Sequence, residues 1–149
     1  MLAPVRVPIA GGARVSTDDP ILELLAAVPP FDRCGRPELE QVAQRTSIVE
    51  EPVGAVLMAQ GETGDEMAII IEGKVAIVRN DSVIAERGPG EVIGEMALLS
   101  GMPRTATVIV LAQTRLLLIR RAAFDVLMAE MPSFRSQVLE SLARRARDL

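Results

Sequence analysis

Between residues 46 and 120 the chain is a succession of short aliphatic and β-branched runs, each broken by turn residues within a few positions. Runs at 46–50 and 55–58 flank Pro52-Val53-Gly54, and Gly61, Gly64 and Asp65 mark a loop. Runs at 66–72 and 74–79 read as a hairpin about Gly73, and Asn80-Asp81 turns the chain into 83–87. Two further runs follow at 105–111 and 114–120. Gly, Pro, Asn and Asp supply the special backbone angles of turns, so this spacing selects many short strands over long elements. A sandwich or roll of β-strands is the architecture that such a pattern permits.

One stretch inside that region departs from it. Residues 94–108 read Gly-Glu-Met-Ala-Leu-Leu-Ser-Gly-Met-Pro-Arg-Thr-Ala-Thr-Val, after the turn-rich Gly88-Pro89-Gly90. Glu95 to Leu99 are helix formers but too few for a helix stable on its own. Gly94 has no Cβ and lets the backbone approach a ligand. The first amides of such a turn lack intrahelical partners, and the helix dipole favours negative charge there. Ser100-Gly101-Met102-Pro103 then turns the chain back, so that Arg104 points into the cradle with a planar fork suited to phosphate. A carboxylate at Glu95 would repel phosphate and makes sense facing sugar hydroxyls. An anion and a diol joined closely describe a nucleotide.

Gly94-Glu95-x-Ala97-Leu98 followed by Pro103-Arg104-x-Ala106-Thr107-Val108 resembles the phosphate-binding cassette of cyclic nucleotide-binding domains. The resemblance extends over about residues 22–147. It implies a mainly β fold with flanking helices, a double-stranded β-helix of jelly-roll type. It also implies that Glu95 holds the ribose 2′-hydroxyl and that Arg104 pairs with the cyclic phosphate, helped by amides at Gly94, Glu95 and Ala97. Met96 lies between these and is counted with the pocket, against the plain reading of core filler. Thr105 stands where the family sometimes uses threonine to favour guanine. The expected ligand is cAMP first, with cGMP kept open. Ile93 stands where the family often has an aromatic residue.

The flanks read as helices. Residues 1–18 are rich in Pro and Gly and are expected to form a mobile arm, with the binding domain over 19–149. Helices are expected at 21–27, capped by Asp19-Pro20 and ended by Pro29-Pro30, and at 38–45 after Arg36-Pro37. After the β-roll at 46–120, residues 121–149 are expected to form lid helices, one at 124–131 and one starting at Pro132-Ser133. On the last helix Phe134, Val138, Leu142 and Leu149 share a face, and Arg145 falls within it. Arg144 has a surface explanation in an i,i+4 pair with Glu140. Arg145 is the candidate for laying a guanidinium over the base, a role the family gives to this helix. Its alternative is to snorkel to solvent.

Composition excludes other functions. The 149 residues contain no histidine, which removes histidine-based metal sites and Ser-His or Cys-His catalysis. A net charge of −4 argues against bulk nucleic-acid binding, and 2% aromatics leave no stacking platforms for single strands. No apolar run is long enough to span a bilayer. The single cysteine, Cys34, excludes an intrachain disulfide and fits a reducing cytoplasm.

The expected function is therefore a cyclic nucleotide receptor that is not an enzyme, needs no metal or cofactor, and moves its C-terminal helices to regulate a protein effector. The alternative is a protein-interaction scaffold with a vestigial pocket. A third is an enzyme on a small metabolite, disfavoured by the missing histidine. Nothing in the sequence fixes an oligomeric state.

Overall fold

The computed structural model describes residues 13–14, 21–27 and 31–147; the side chains of 13, 14, 21, 24, 137, 141, 142 and 144–147 lie outside the description. The order of elements is β1 (Ala13–Arg14), α1 (Ile21–Ala26), α2 (Arg36–Gln44), β2 (Ser47–Glu51), β3 (Val56–Met58), β4 (Glu66–Arg79), β5 (Ser82–Arg87), β6 (Val92–Ile93), α3 (Glu95–Ser100), β7 (Thr107–Arg120), α4 (Arg121–Glu130) and α5 (Pro132–Arg147). A mainly antiparallel sheet with flanking helices is what the residue pattern called for.

The strands run β1-β2-β7-β4-β5, with β3 added to β7 and β6 added to β4. Two 14-residue strands, β4 and β7, pair along nearly their whole length and form the spine. One half of that ribbon carries β2 and β6, and the other carries β3 and β5. The ribbon folds where its register shifts, between Ile70 and Val75. The two halves then face each other, which makes the roll.

Gly73 therefore does not turn a hairpin. It lies inside β4 at the fold line, with φ 109°, a backbone state that L side chains rarely adopt. A Cβ there would sit 2.6 Å from Thr114 Cα and 2.7 Å from the Gln113 carbonyl oxygen. Thr114 is fully buried; its hydroxyl donates to the Ala112 carbonyl (2.7 Å) and accepts from the Lys74 amide (3.2 Å). The crease is thus closed by one side chain across both strands. Likewise 105–111 and 114–120 are one strand, β7, which begins only at Thr107.

Alternation along β4 and β7 divides the core in two. Ala68, Ile70, Leu116 and Leu118 point between the halves of the roll, with Val75, Val108 and Val110. Met67, Ile69, Leu117 and Ile119 point the other way, onto the helices. In β4 the inward positions are even before Gly73 and odd after it, because the bulge inserts one residue.

The helices cover one outer face. Leu39, Val42 and Ala43 are the buried stripe of α2, at three- and four-residue spacing. All three phenylalanines meet there. Phe31 stacks on Phe134 with centroids 5.4 Å apart, and Phe124 meets Phe134 edge-on at 5.9 Å. The expected cap at Asp19-Pro20 and the stop at Pro29-Pro30 lie outside the described residues. Of the expected mobile arm, Ala13 and Arg14 pair with Ile48 and Ser47 of β2, which gives that edge strand a partner and pins the arm at this point.

Candidate functional site

The site grows out of three backbone turns. Gly88 and Glu91 exchange bonds, the amide of Gly88 donating to the Glu91 carboxylate (2.7 Å) and the Glu91 amide to the Gly88 carbonyl (3.1 Å). This delivers β6 to β4 and places Gly94 at the mouth of α3. Gly94 has φ 87°, and a Cβ on it would meet Met58 Cε at 2.5 Å and Arg104 Nη1 at 2.7 Å. The angle favours glycine, and any side chain there would also displace the ends of Met58 and Arg104. The short helix ends as its sequence requires: the Gly101 amide donates to Ala97 and the Ser100 hydroxyl to Met96 (2.8 Å).

Arg104 is fixed by a segment that sequence reading treated only as a loop. Its amide donates to the Glu62 carbonyl and its carbonyl accepts from Gly61, both at 2.8 Å. The residue is 7% exposed; Nη1 donates to the Gly94 carbonyl at 2.7 Å and Nη2 to the Glu66 carbonyl at 2.5 Å. Gly64 packs against the fork, where a Cβ would lie 2.7 Å from Cζ and 2.5 Å from the Ala97 Cβ. A buried cation held by carbonyls at this range is oriented before any ligand arrives, which lowers the cost of binding an anion.

Gly94, Met96, Ala97, Arg104 and Thr105 line one cavity of about 840 Å³. Glu95 opens α3 between two of these residues and is 1% exposed, placed behind the lining rather than on it. A carboxylate at the first turn of a helix sits at the positive end of its dipole. Arg145 belongs to α5, and its side chain is outside the described residues. The structure adds lining that the sequence did not nominate: Arg79 of β4, Arg87 of β5, and the apolar Ile77, Ile84 and Ala85. Arg79 donates from Nε to the Thr105 carbonyl at 3.2 Å and ties the hairpin to the end of the cassette. The hairpin tip is fixed as well, since Gln60 and Asn80 exchange hydrogen bonds at 2.8 and 3.0 Å.

Behind the site lies a strap to the C-terminal helices. Arg121, the first residue of α4, donates to the Gly64 carbonyl from its guanidinium (3.0 Å) and to the Asp65 carbonyl from its amide (2.7 Å). The short run Gly64-Asp65-Glu66 thus touches Arg104 on one side and Arg121 on the other. Among the described residues no group of His, Cys, Asp and Glu is placed to hold a metal, and no helix is long and apolar enough to cross a membrane.

Comparison with known proteins agrees with this fold. The cyclic nucleotide-binding domain family matches residues 49–131. A cyclic nucleotide-gated potassium channel of Rhizobium etli is 38% identical over 125 residues, which cover 83% of this chain and 34% of the channel. A CRP-like cAMP-activated global transcriptional regulator of Mycobacterium tuberculosis is 30% identical over 84% of this chain and 58% of its own length. The chain therefore spans about a third of that channel and somewhat over half of that regulator. Among solved structures, a cyclic nucleotide-binding domain from Methylobacillus flagellatus superposes with a TM-score of 0.75 at 28% identity, covering 93% of this chain and 83% of the other. The regulatory domain of Toxoplasma gondii PKA with cAMP gives 0.73 at 25% identity, over 86% and 49%. With the family matched over residues 49–131, more than half of its length, the chain belongs to the cyclic nucleotide-binding domain family.

Proposed function

We propose that residues 19–149 form a receptor for a cyclic purine mononucleotide and that the chain passes occupancy of the pocket to its last two helices. The observation that carries this reading is the buried, carbonyl-held Arg104 in the wall of a cavity it shares with Gly94, Met96, Ala97 and Thr105. Arg104 supplies the counter-charge for the cyclic phosphate, with amides of the first turn of α3 beside it. Glu95, buried behind the lining at the head of α3, takes the ribose 2′-hydroxyl by turning its carboxylate into the cavity when the nucleotide enters. Arg145 covers the open face of the base. The printed names of the relatives favour cAMP, through the cAMP-activated mycobacterial regulator and the cAMP complex of the Toxoplasma domain.

The output follows from the strap. A phosphate that competes for the Arg104 fork weakens its bond to the Glu66 carbonyl, and the neighbouring Gly64 and Asp65 hold the start of α4. Binding then shifts α4 and α5 against the roll by no more than the ligand's difference in affinity between the two arrangements. The partner is a protein effector, in the same chain or another. The role is regulatory binding rather than catalysis.

Calorimetric titration of cAMP and cGMP into the purified chain tests the reading, with thermal melting as a second measure. A few charge-assisted hydrogen bonds at about 1.5–3 kcal/mol each, plus base burial, support a dissociation constant of roughly micromolar or tighter. A native-state ligand raises the melting midpoint. If neither nucleotide gives heat or raises the midpoint, the pocket is vestigial and the scaffold alternative holds.

A further inference from the structure

The inner face of the roll is apolar by alternation, yet two arginines are rooted on it. Arg87 of β5 stands opposite Val75 of β4, and Ala85 stands opposite Ile77. Residues directly opposed in an antiparallel pair share a face. Val75 belongs to the inner core and Ile77 packs against it, so Arg87 is directed inward with them. The neighbouring outward positions confirm the sense, since Lys74 and Glu86 meet in an exposed ion pair at 3.0 Å. Arg79, two residues after Ile77 on the same strand, shares that face. A charged residue at a patterned core position is a breach of local rules of the kind expected at a functional site.

Both line the cavity, and with Arg104 they are its charged residues; no carboxylate lines it among the described residues. The three are not equivalent. Arg104 belongs to the cassette end. Arg79 is engaged with the Thr105 carbonyl. Arg87 is half-buried, and its Nη1 donates to the carbonyl of its own neighbour Glu86, at 3.1 Å. A guanidinium has several further donors in a fixed fork. If the phosphate lies at Arg104, the base lies towards the β4–β5 hairpin, where Ile84 and Ala85 provide the apolar wall and Arg87 the polar group.

We infer that Arg87 reads the edge of the base and selects a 6-oxopurine, guanine over adenine. The inference rests on the cyclic nucleotide reading above and reverses the expectation of cAMP. An arginine fork donates to two adjacent acceptors. Guanine offers O6 and N7 on one edge, whereas adenine offers N7 beside an amino donor that opposes the fork. A donor desolvated by the bound base and left facing another donor loses its solvation without return.

The test is calorimetry on the whole chain with cGMP, cIMP and cAMP. Inosine keeps O6 and N7 and lacks the 2-amino group, so it isolates this contact from any made at Thr105. In the native protein cGMP and cIMP should both bind about tenfold more tightly than cAMP, within the range of one bidentate pair. Arg87→Leu should bring the ratio of cIMP to cAMP affinity to about one, and Arg87→Lys, which keeps charge without the fork, should do nearly the same. Melting curves of both variants check that they fold, and the lysine variant serves if the leucine variant does not. A native preference for cAMP, or no preference, overturns the inference while leaving the receptor reading intact. An equal loss for all three ligands in Arg87→Leu also overturns it, since the residue would then serve the phosphate. Absence of binding by all three in the native protein overturns the receptor reading itself, and this inference with it.

Discussion

Gly64 lies flat against Arg104, with no room for even one carbon between the loop and the guanidinium. Arg104 is thereby hemmed in by a residue 40 places earlier in the chain, in addition to the carbonyls that hold its fork. Gly64→Ala is expected to push the fork or Ala97 aside. Overpacking of this kind costs about 1–3 kcal/mol of stability. It should also weaken cyclic nucleotide binding by about tenfold, because the fork is no longer pre-set. Urea unfolding and calorimetry on the same preparation separate the two effects, and an unchanged affinity would mean that the loop yields freely.

Arg104→Ala removes the cation and leaves the Gly94 and Glu66 carbonyls without this donor. Affinity for the cyclic nucleotide should fall by about tenfold or more, equivalent to about 1.4 kcal/mol. Arg104→Lys should recover only part of it, since one ammonium cannot reach both carbonyls and a phosphate as a fork does. Calorimetry decides, and native affinity in the alanine variant removes Arg104 from the site.

The cassette was legible because its parts are contiguous: turn, glycine, short helix, break, arginine and strand follow within residues 88–108. The flanking helices were legible from apolar spacing, as at Leu39, Val42 and Ala43. Gly73 was misread because a bulge and a hairpin turn share a sequence signature, a glycine where alternation breaks. The contact of Gly64 with Arg104 carries no local signal at all. The inward direction of Arg87 depends on the register of β5 against β4, which periodicity in one strand does not give.

The crease predicts its own sensitivity. Gly73→Ala forces a side chain into a left-handed backbone state and against Thr114 and Gln113. A strained residue of this kind costs about 1–3 kcal/mol before any clash. Thr114→Val keeps the volume but leaves the Lys74 amide without its acceptor, at about 1–3 kcal/mol. Chemical denaturation should show both losses, with the glycine variant the more damaged.

Cys34 offers a pH-dependent readout. Burial pushes its thiol up from 9.0 to about 11, with the Glu38 and Asp32 carboxylates adding to the shift. The folded protein therefore holds this proton more tightly than the unfolded chain does. The resulting stabilisation is complete below about pH 9 and is lost as pH rises through about 11. Alkylation of the native protein should follow a titration displaced upward to that value, and a midpoint at the ordinary cysteine value would show that the thiol is solvated.

Arg145 remains a proposal from helix register. Arg145→Ala should weaken ligand binding by about threefold to tenfold if the guanidinium covers a base. Calorimetry that finds the native dissociation constant would return this residue to the surface of α5.

The three phenylalanines, gathered where the opening turn meets the closing helices, have a practical corollary. The chain contains no tryptophan and no tyrosine. Its near-ultraviolet dichroism and its intrinsic emission therefore come from that one joint. A change in either on adding nucleotide would be an optical report from the far side of the sheet, made without attaching a dye.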